Sequence, residues 1–261
     1  LQALMSLPLQ IRSVKAAPFH APHFVNAVLH KYPDDESSIH TTLNLTLQNT
    51  IRDVTQQYLS HQQAYGVNNA AVLLIDTNNM QVKALLGSAD FFNKSISGEI
   101  DGTEAKRSPG STLKPFIYAL ALDQGLIHPA TVLKDVPRSF GHYNPENFDY
   151  DFIGPIKARD ALILSRNIPA VYLADQLKNP NLYQLLQQAE VGPLKPENYY
   201  GLALVLGGAE MSMQELGGLY AMLANGGVWQ PLQFTPFDVN KRKHRLLSKE
   251  ASFLVLDMLQ E

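Results

Sequence analysis

The chain of 261 residues carries 21 lysines and arginines against 24 aspartates and glutamates, a formal net charge of −3, with 45% hydrophobic and 17% charged residues and no cysteine. That balance supports a buried core in one or two domains. It excludes disulfides, thiolate catalysis and cysteine-ligated metals, and it offers no basic field for nucleic acid.

Residues 1–37 are broken by Pro8, Pro18, Pro22 and Pro33 and run into Asp34-Asp35-Glu36-Ser37-Ser38. Proline fixes φ and removes a donor, so this stretch predicts a linker with at most short helical pieces. Pro22 between His20 and His23 argues against a helical metal-binding pair. The start, Leu1-Gln2-Ala3, has no basic signal-peptide region, and no stretch approaches the roughly 18 apolar residues of a membrane span. The chain therefore reads as part of a longer protein.

Ile39 to Leu43 is β-prone, and Asn44 offers an N-cap for a helix of about 45–64, with Leu47, Ile51, Val54, Tyr58 and Leu59 at helical spacing. Residues 70–76 and 81–86, joined by Thr77-Asn78-Asn79-Met80, predict a β-hairpin. The first strand is apolar throughout, which predicts burial on both faces. A loop of about 93–108 leads to Ser108-Pro109-Gly110. A helix with Phe116, Ile117, Leu120 and Ala121 on its apolar stripe then runs to Gly125.

Residues 128–157, rich in Pro, Asn, Gly and Tyr, read as one long ordered loop, a length that in compact domains is usually functional. A helix at about 157–164, the break Ser165-Arg166-Asn167 and a helix beginning near Pro169 follow. Ser212-Met213-Gln214-Glu215 is a capping box for a helix ending at Asn225-Gly226-Gly227. Residues 228–234 are strand-like, the basic run 241–245 reads as a solvated loop, and a last amphipathic helix starts near Ser248. Strands precede a run of helices, so the class is α+β.

Two short patterns can carry chemistry. In Ser111-Thr112-Leu113-Lys114, residues three apart share a helix face, so a hydroxyl and an amine can meet. Serine needs an adjacent base to act as a nucleophile. A lysine is that base only when burial or nearby positive charge lowers its pKa. Pro109-Gly110 sets Ser111 at a helix start, where backbone N–H groups are free to stabilise an oxyanion. In Ser165-Arg166-Asn167 the hydroxyl can relay a proton and the amide can hold a lysine or a substrate amide. Taken alone, the first pattern is also met by a surface pair on a helix, and the second by an N-cap.

In this order and context the two patterns resemble a known family. Arg107 to Phe116 (RSPGSTLKPF) is similar to the nucleophile motif of class A penicillin-binding proteins, and Ser165-Arg166-Asn167 to their second motif. The hairpin, Tyr143-Asn144-Pro145-Glu146-Asn147, Leu206-Gly207-Gly208-Ala209, Ala224-Asn225-Gly226-Gly227 and the entry Thr41-Thr42-Leu43-Asn44 resemble the same domain. Residues 87–92 and 108–114 are most like the 1C subgroup.

The resemblance covers about residues 38–261. It implies a penicillin-binding/serine β-lactamase-like fold, an antiparallel sheet flanked by helical clusters. The implied activity is a peptidoglycan DD-transpeptidase in which Ser111 is acylated, Lys114 takes its proton, Ser165 relays one and Asn167 holds the substrate amide and Lys114. Arg166, Tyr143 and Asn144 are the substrate-binding candidates.

The implied partners are stem peptides ending in D-Ala-D-Ala, β-lactam antibiotics and other cell-wall synthesis proteins. No metal, cofactor or nucleic acid is implied. The place is the periplasmic face of the bacterial inner membrane, reached through an anchor preceding Leu1, as would be the family's glycosyltransferase. The family's third motif, Lys-Thr-Gly, does not occur in the sequence, and the resemblance sets it, with the C-terminal strands, beyond residue 261. Two other readings share these residues: a DD-carboxypeptidase or β-lactamase-type hydrolase on the same fold, and a non-catalytic β-lactam-binding or partner-binding module.

Overall fold

A computed structural model of the chain describes residues 20–32, 38–236 and 242–260. Its helices are α1 (Pro22–Lys31), α2 (Leu45–Gln62), α3 (Lys114–Asp123), α4 (Ala158–Ile163), α5 (Asn167–Gln176), α6 (Leu182–Gln188), α7 (Glu197–Tyr200), α8 (Met213–Ala224) and α9 (Lys249–Met258). Its strands are β1 (Val72–Asp76), β2 (Gln81–Leu86), β3 (Val132–Asp135), β4 (Gly154–Lys157), β5 (Val228–Trp229) and β6 (His244–Arg245), which form three antiparallel pairs in that order. The class is α+β, as the element order implies.

The β1–β2 hairpin is extended on the β2 side. Val82 N donates to Gln233 O, Gln233 N donates to Met80 O (both 2.9 Å), and Asn44 N donates to Lys83 O at 2.8 Å. Asn44 also caps α2, its side chain accepting from Leu47 N. One turn on, Gln48 is buried, and its amide both donates to Leu85 O and accepts from Leu85 N (2.9 Å each). A side chain thus satisfies backbone groups of β2 that would otherwise be buried without partners.

β1 differs from its expected burial on both faces. Each of its residues is only partly buried, because it pairs along one edge, with β2. α8 packs against it, with Gly217 admitting Leu73 and Ile75.

In the stretch expected to be a linker, α1 forms from Pro22, which suits a first helical turn. Its Phe24 and Val28 pack with Val82, Leu85 and Phe234 in a second apolar cluster. His23 is also buried, its ring edge-on to Phe91 and its Nε2 2.9 Å from Gly98 O, so it serves packing and backbone satisfaction. Residues 1–19 and 33–37 of that stretch lie outside the described residues.

α3 is the centre of the molecule. Every residue from Lys114 to Ala121 is buried, and α4, α5, α6, α9 and the 3-10 segment Gly201–Leu206 pack around it. A helix apolar on all sides is one enclosed on all sides. No helix among the described residues is long and apolar enough to cross a membrane.

The expected single loop at 128–157 is corrected. Its ends pair as β3 and β4, and the irregular part is 136–153. The strands are four residues each and β4 carries Pro155, so neither shows a strand pattern in sequence. α5 begins at Asn167, two residues before Pro169, which still falls in the first turn where no helix hydrogen bond is lost. His244 and Arg245 of the basic run, expected as loop, pair with β5 instead.

Candidate active site

The segment that carries Ser111 is bolted down before α3 begins. Arg107 and Met211 exchange both backbone hydrogen bonds (3.0 and 2.9 Å), and Ser108 Oγ donates to Gly207 O at 2.8 Å. Gly110 has φ +54, which lets the chain turn into the 3-10 segment Gly110–Leu113. Gly207 must also lack a side chain. A Cβ there would lie 2.4 Å from Gly110 N, and its φ is +91. The hydroxyl of Tyr220 donates to Thr112 O (2.9 Å), tying the turn to α8. Ser111 is left exposed at the first turn, while Leu113 and Lys114 are buried.

Lys114 is 1% exposed, rare for a lysine. Its amine donates to Asn167 Oδ1 at 2.6 Å, to Ser165 Oγ at 3.1 Å and to Ser165 O. These three bonds match the three donors of an ammonium. Burial first, and the guanidinium of Arg166 second, lower its pKa from 10.5 to about 8.

Ser165 reaches Lys114 through the way α4 ends. Ser165 N donates to Leu162 O and Arg166 N to Ala161 O (2.9 Å each), the double bond pattern of a Schellman stop. That stop requires a left-handed residue, normally glycine, yet Ser165 occupies it at φ +53. A non-glycine residue there carries local strain that the surrounding structure must hold. The result is that the carbonyl and the hydroxyl of one residue both face the Lys114 amine.

The next two residues are held by the 136–153 loop. Arg166 Nε donates to Asp135 Oδ2 and its NH1 to Asp149 Oδ2, both at 2.7 Å, and its NH2 donates to Asp151 O. Asp135 is fully buried, the Arg166 side chain is 7% exposed, and that of Asp149 is 54% exposed. Asn147 sits between them, donating to Asp135 Oδ1 and Asp151 O (2.9 Å each) and accepting from Asn167 N at 2.8 Å. Asn167 Nδ2 donates to Glu146 O at 2.6 Å. That bond fixes the amide orientation and turns Oδ1 to Lys114.

Ser111, Ser165, Arg166 and Asn167 line one cavity of about 490 Å³, with Asn147, Phe148, Asp149 and Leu206 among its other walls. Lys114 joins the set through its bonds to Ser165 and Asn167. Tyr143 and Asn144 are not in that lining. Tyr143 pairs its backbone with Phe140 and packs on the main core, burial raising its hydroxyl pKa, and Asn144 is exposed. Asp135, Asn147 and Asp149 are not among the site candidates read from sequence: Asn147 closes the Tyr143–Asn147 stretch that resembles the family but is given no role there, and neither aspartate carries a periodic signal. A further hint is that a long loop between two chemical motifs tends to be functional.

Chemically, the cavity offers an exposed hydroxyl, an amine of reduced proton affinity, a second hydroxyl on that amine and an oriented carboxamide. That set suits nucleophilic attack by a serine with proton transfer beside it.

A family model described as the penicillin-binding protein transpeptidase domain matches residues 70–261. Penicillin-binding protein 1C of Escherichia coli (strain K12) is 36% identical over 222 residues, which is 85% of this chain and 28% of that protein. Penicillin-binding protein 1F of Bacillus subtilis (strain 168) is 27% identical over 237 residues, 84% of this chain and 32% of that protein. The chain thus spans about a third or less of these two relatives. The penicillin-binding protein PonA1 of Mycobacterium tuberculosis, solved alone and in complex with penicillin V, superposes with a TM-score of 0.70 at 20% identity. The match covers 91% of this chain and 68% of that one.

Proposed function

Because the chain belongs to the penicillin-binding protein transpeptidase family, we propose that it is a serine-type D-Ala-D-Ala transpeptidase with Ser111 as nucleophile. The observation that carries this reading is the Lys114 amine, held by Ser165 Oγ and Asn167 Oδ1, two residues that line one cavity with Ser111.

In this reading Ser111 Oγ attacks the carbonyl between the two D-alanines of a peptidoglycan stem peptide. As the O–C bond forms, the hydroxyl proton passes to neutral Lys114. The C–N bond then breaks, and the terminal D-alanine leaves with a proton relayed through Ser165, which touches the amine directly. An amine of a neighbouring stem peptide attacks the acyl-enzyme, forms the crosslink and returns Ser111 to its free hydroxyl. A β-lactam acylates the same serine. Asn167 holds the amine and a substrate amide.

Arg166 acts as a positioning residue rather than a substrate contact, since its guanidinium is taken up by Asp135, Asp149 and Asp151. Tyr143 supports the loop through its backbone pairing with Phe140 and its packing on the core. Residues 38–261 form the transpeptidase unit, working at the periplasmic face of the inner membrane beside other cell-wall synthesis proteins.

The pH dependence has a definite sign. A lysine accepts a proton only when neutral, so acylation rises as pH passes through about 8, where the Lys114 amine loses its charge. Intact mass spectrometry with benzylpenicillin tests the reading, on this chain and on the longest natural form of the protein. One adduct is expected, absent in Ser111→Ala and formed roughly a hundredfold more slowly in Lys114→Ala. An adduct that persists in Ser111→Ala, or none on the longest form, sinks the assignment.

A further inference from the structure

Asp149 stands apart from the other members of the polar frame. Asp135 and Asn147 are buried, as is Arg166, but the Asp149 side chain is 54% exposed on the wall of the Ser111 cavity. Its carboxylate accepts from Arg166 NH1 at 2.7 Å. That bond holds its pKa below the ordinary carboxylate range, so it is ionised at neutral pH.

The elements around Lys114 carry other titratable groups. α3 carries Tyr118 one turn on, whose hydroxyl lies in the field of Asp135, and at its far end Asp123, which accepts from Ser248 N. The 146–151 stretch carries Glu146, Tyr150 and Asp151 besides Asp149, and α4 carries Arg159 and Asp160. α5 carries Tyr172 and Asp175, α6 Tyr183, and α9 Lys249, Glu250 and Asp257, while residues 201–206 carry none. Of all these and Arg166, the charge that acts on the Lys114 amine is Arg166.

We propose that Asp149 is a positioning residue for the Lys114 amine. By pairing with Arg166 NH1 it holds that guanidinium and offsets its charge, so a solvent-facing carboxylate sets how readily Lys114 gives up its proton. The inference rests on Lys114 being the base of the reaction proposed above.

The physical chain is short. Arg166 is a permanent cation, and Asp135 covers its Nε side from within. Asp149 covers the NH1 side from the cavity wall, where effective dielectric is lower than in bulk water and charge matters more. Replacing it by asparagine keeps an oxygen able to accept from NH1 while removing the charge. More of the guanidinium's field then reaches Lys114, and the ammonium is disfavoured further. A glutamate restores the charge. A ligand or cation that neutralised Asp149 would act in the same direction, which would couple occupancy of the cavity wall to the readiness of the base.

The test reads Lys114 itself. In protein labelled with ¹³Cε-lysine, the Lys114 resonance, assigned by its loss in Lys114→Arg, is titrated from neutral to alkaline pH. The wild-type midpoint is expected near 8. Asp149→Asn should lower it by roughly half a unit, about a threefold change in proton affinity, with the protein still folded and its melting temperature lowered only slightly, and Asp149→Glu should return the midpoint to the wild-type value. A midpoint that stays put or rises in Asp149→Asn overturns the proposal, as does Asp149→Glu behaving like Asp149→Asn. Because this titration needs no acylation, a protein that never takes a penicillin adduct refutes the function while leaving this inference to its own result.

Discussion

The two sides of the Lys114 amine are built by opposite means. On one side stands α3, buried from Lys114 to Ala121 and packed on all sides by apolar residues. On the other stands the polar frame of Asp135, Asn147, Arg166 and Asn167, joined by hydrogen bonds of 2.7–2.9 Å and carried by the ends of β3 and α5 and the irregular chain beside them. The apolar side supplies desolvation, the larger cause of the lowered Lys114 pKa. The polar side supplies direction, since it fixes which way the Asn167 amide and the Ser165 hydroxyl face. An apolar core alone would lower proton affinity without aiming the amine. A polar frame alone, open to water, would aim it without lowering its affinity enough.

Substitutions on each side can break or sharpen that division. The largest effect should come from Phe116→Ala, since Phe116 is wholly buried and meets Tyr220 edge-on at 5.2 Å. Its loss should lower unfolding free energy by about 3–5 kcal/mol in a denaturant titration.

Asn147→Ala should cost less stability, about 1–3 kcal/mol. It should nonetheless slow benzylpenicillin acylation by roughly tenfold or more, because Asn167 N and Asp135 Oδ1 lose their common partner. If Asn147→Ala unfolds the protein as Phe116→Ala does, with acylation intact in the folded fraction, the frame is structural and the division fails. The smallest effect belongs to Asn44→Ala, which removes the α2 cap far from the site. A loss of about 1 kcal/mol with an unchanged acylation rate is expected. An altered rate would show that the hairpin layer and the amine are coupled.

Much of the scaffold was legible because its signals are local. The Asn44 cap, the hairpin around residues 77–80 and the Ser212–Glu215 capping box all appear where side-chain chemistry and periodicity set them. The β3–β4 pair was not legible. Its strands are four residues long, one holds a proline, and their pairing spans the irregular loop. α1 was hidden by prolines that read as breakers, although one of them begins the helix.

At the site the same line divides what could be read from what could not. The spacing of Ser111 and Lys114, and of Ser165 and Asn167, is sequence, because backbone periodicity places residues three apart or two apart wherever the segment lies. That the two pairs meet, through hydrogen bonds spanning 51 and 53 residues, is a tertiary fact. So is the pairing of the Arg166 guanidinium with Asp135, Asp149 and the Asp151 carbonyl. A guanidinium can pair with any carboxylate within reach, and only the packing of β3 and the 136–153 loop decides which one is buried beside it.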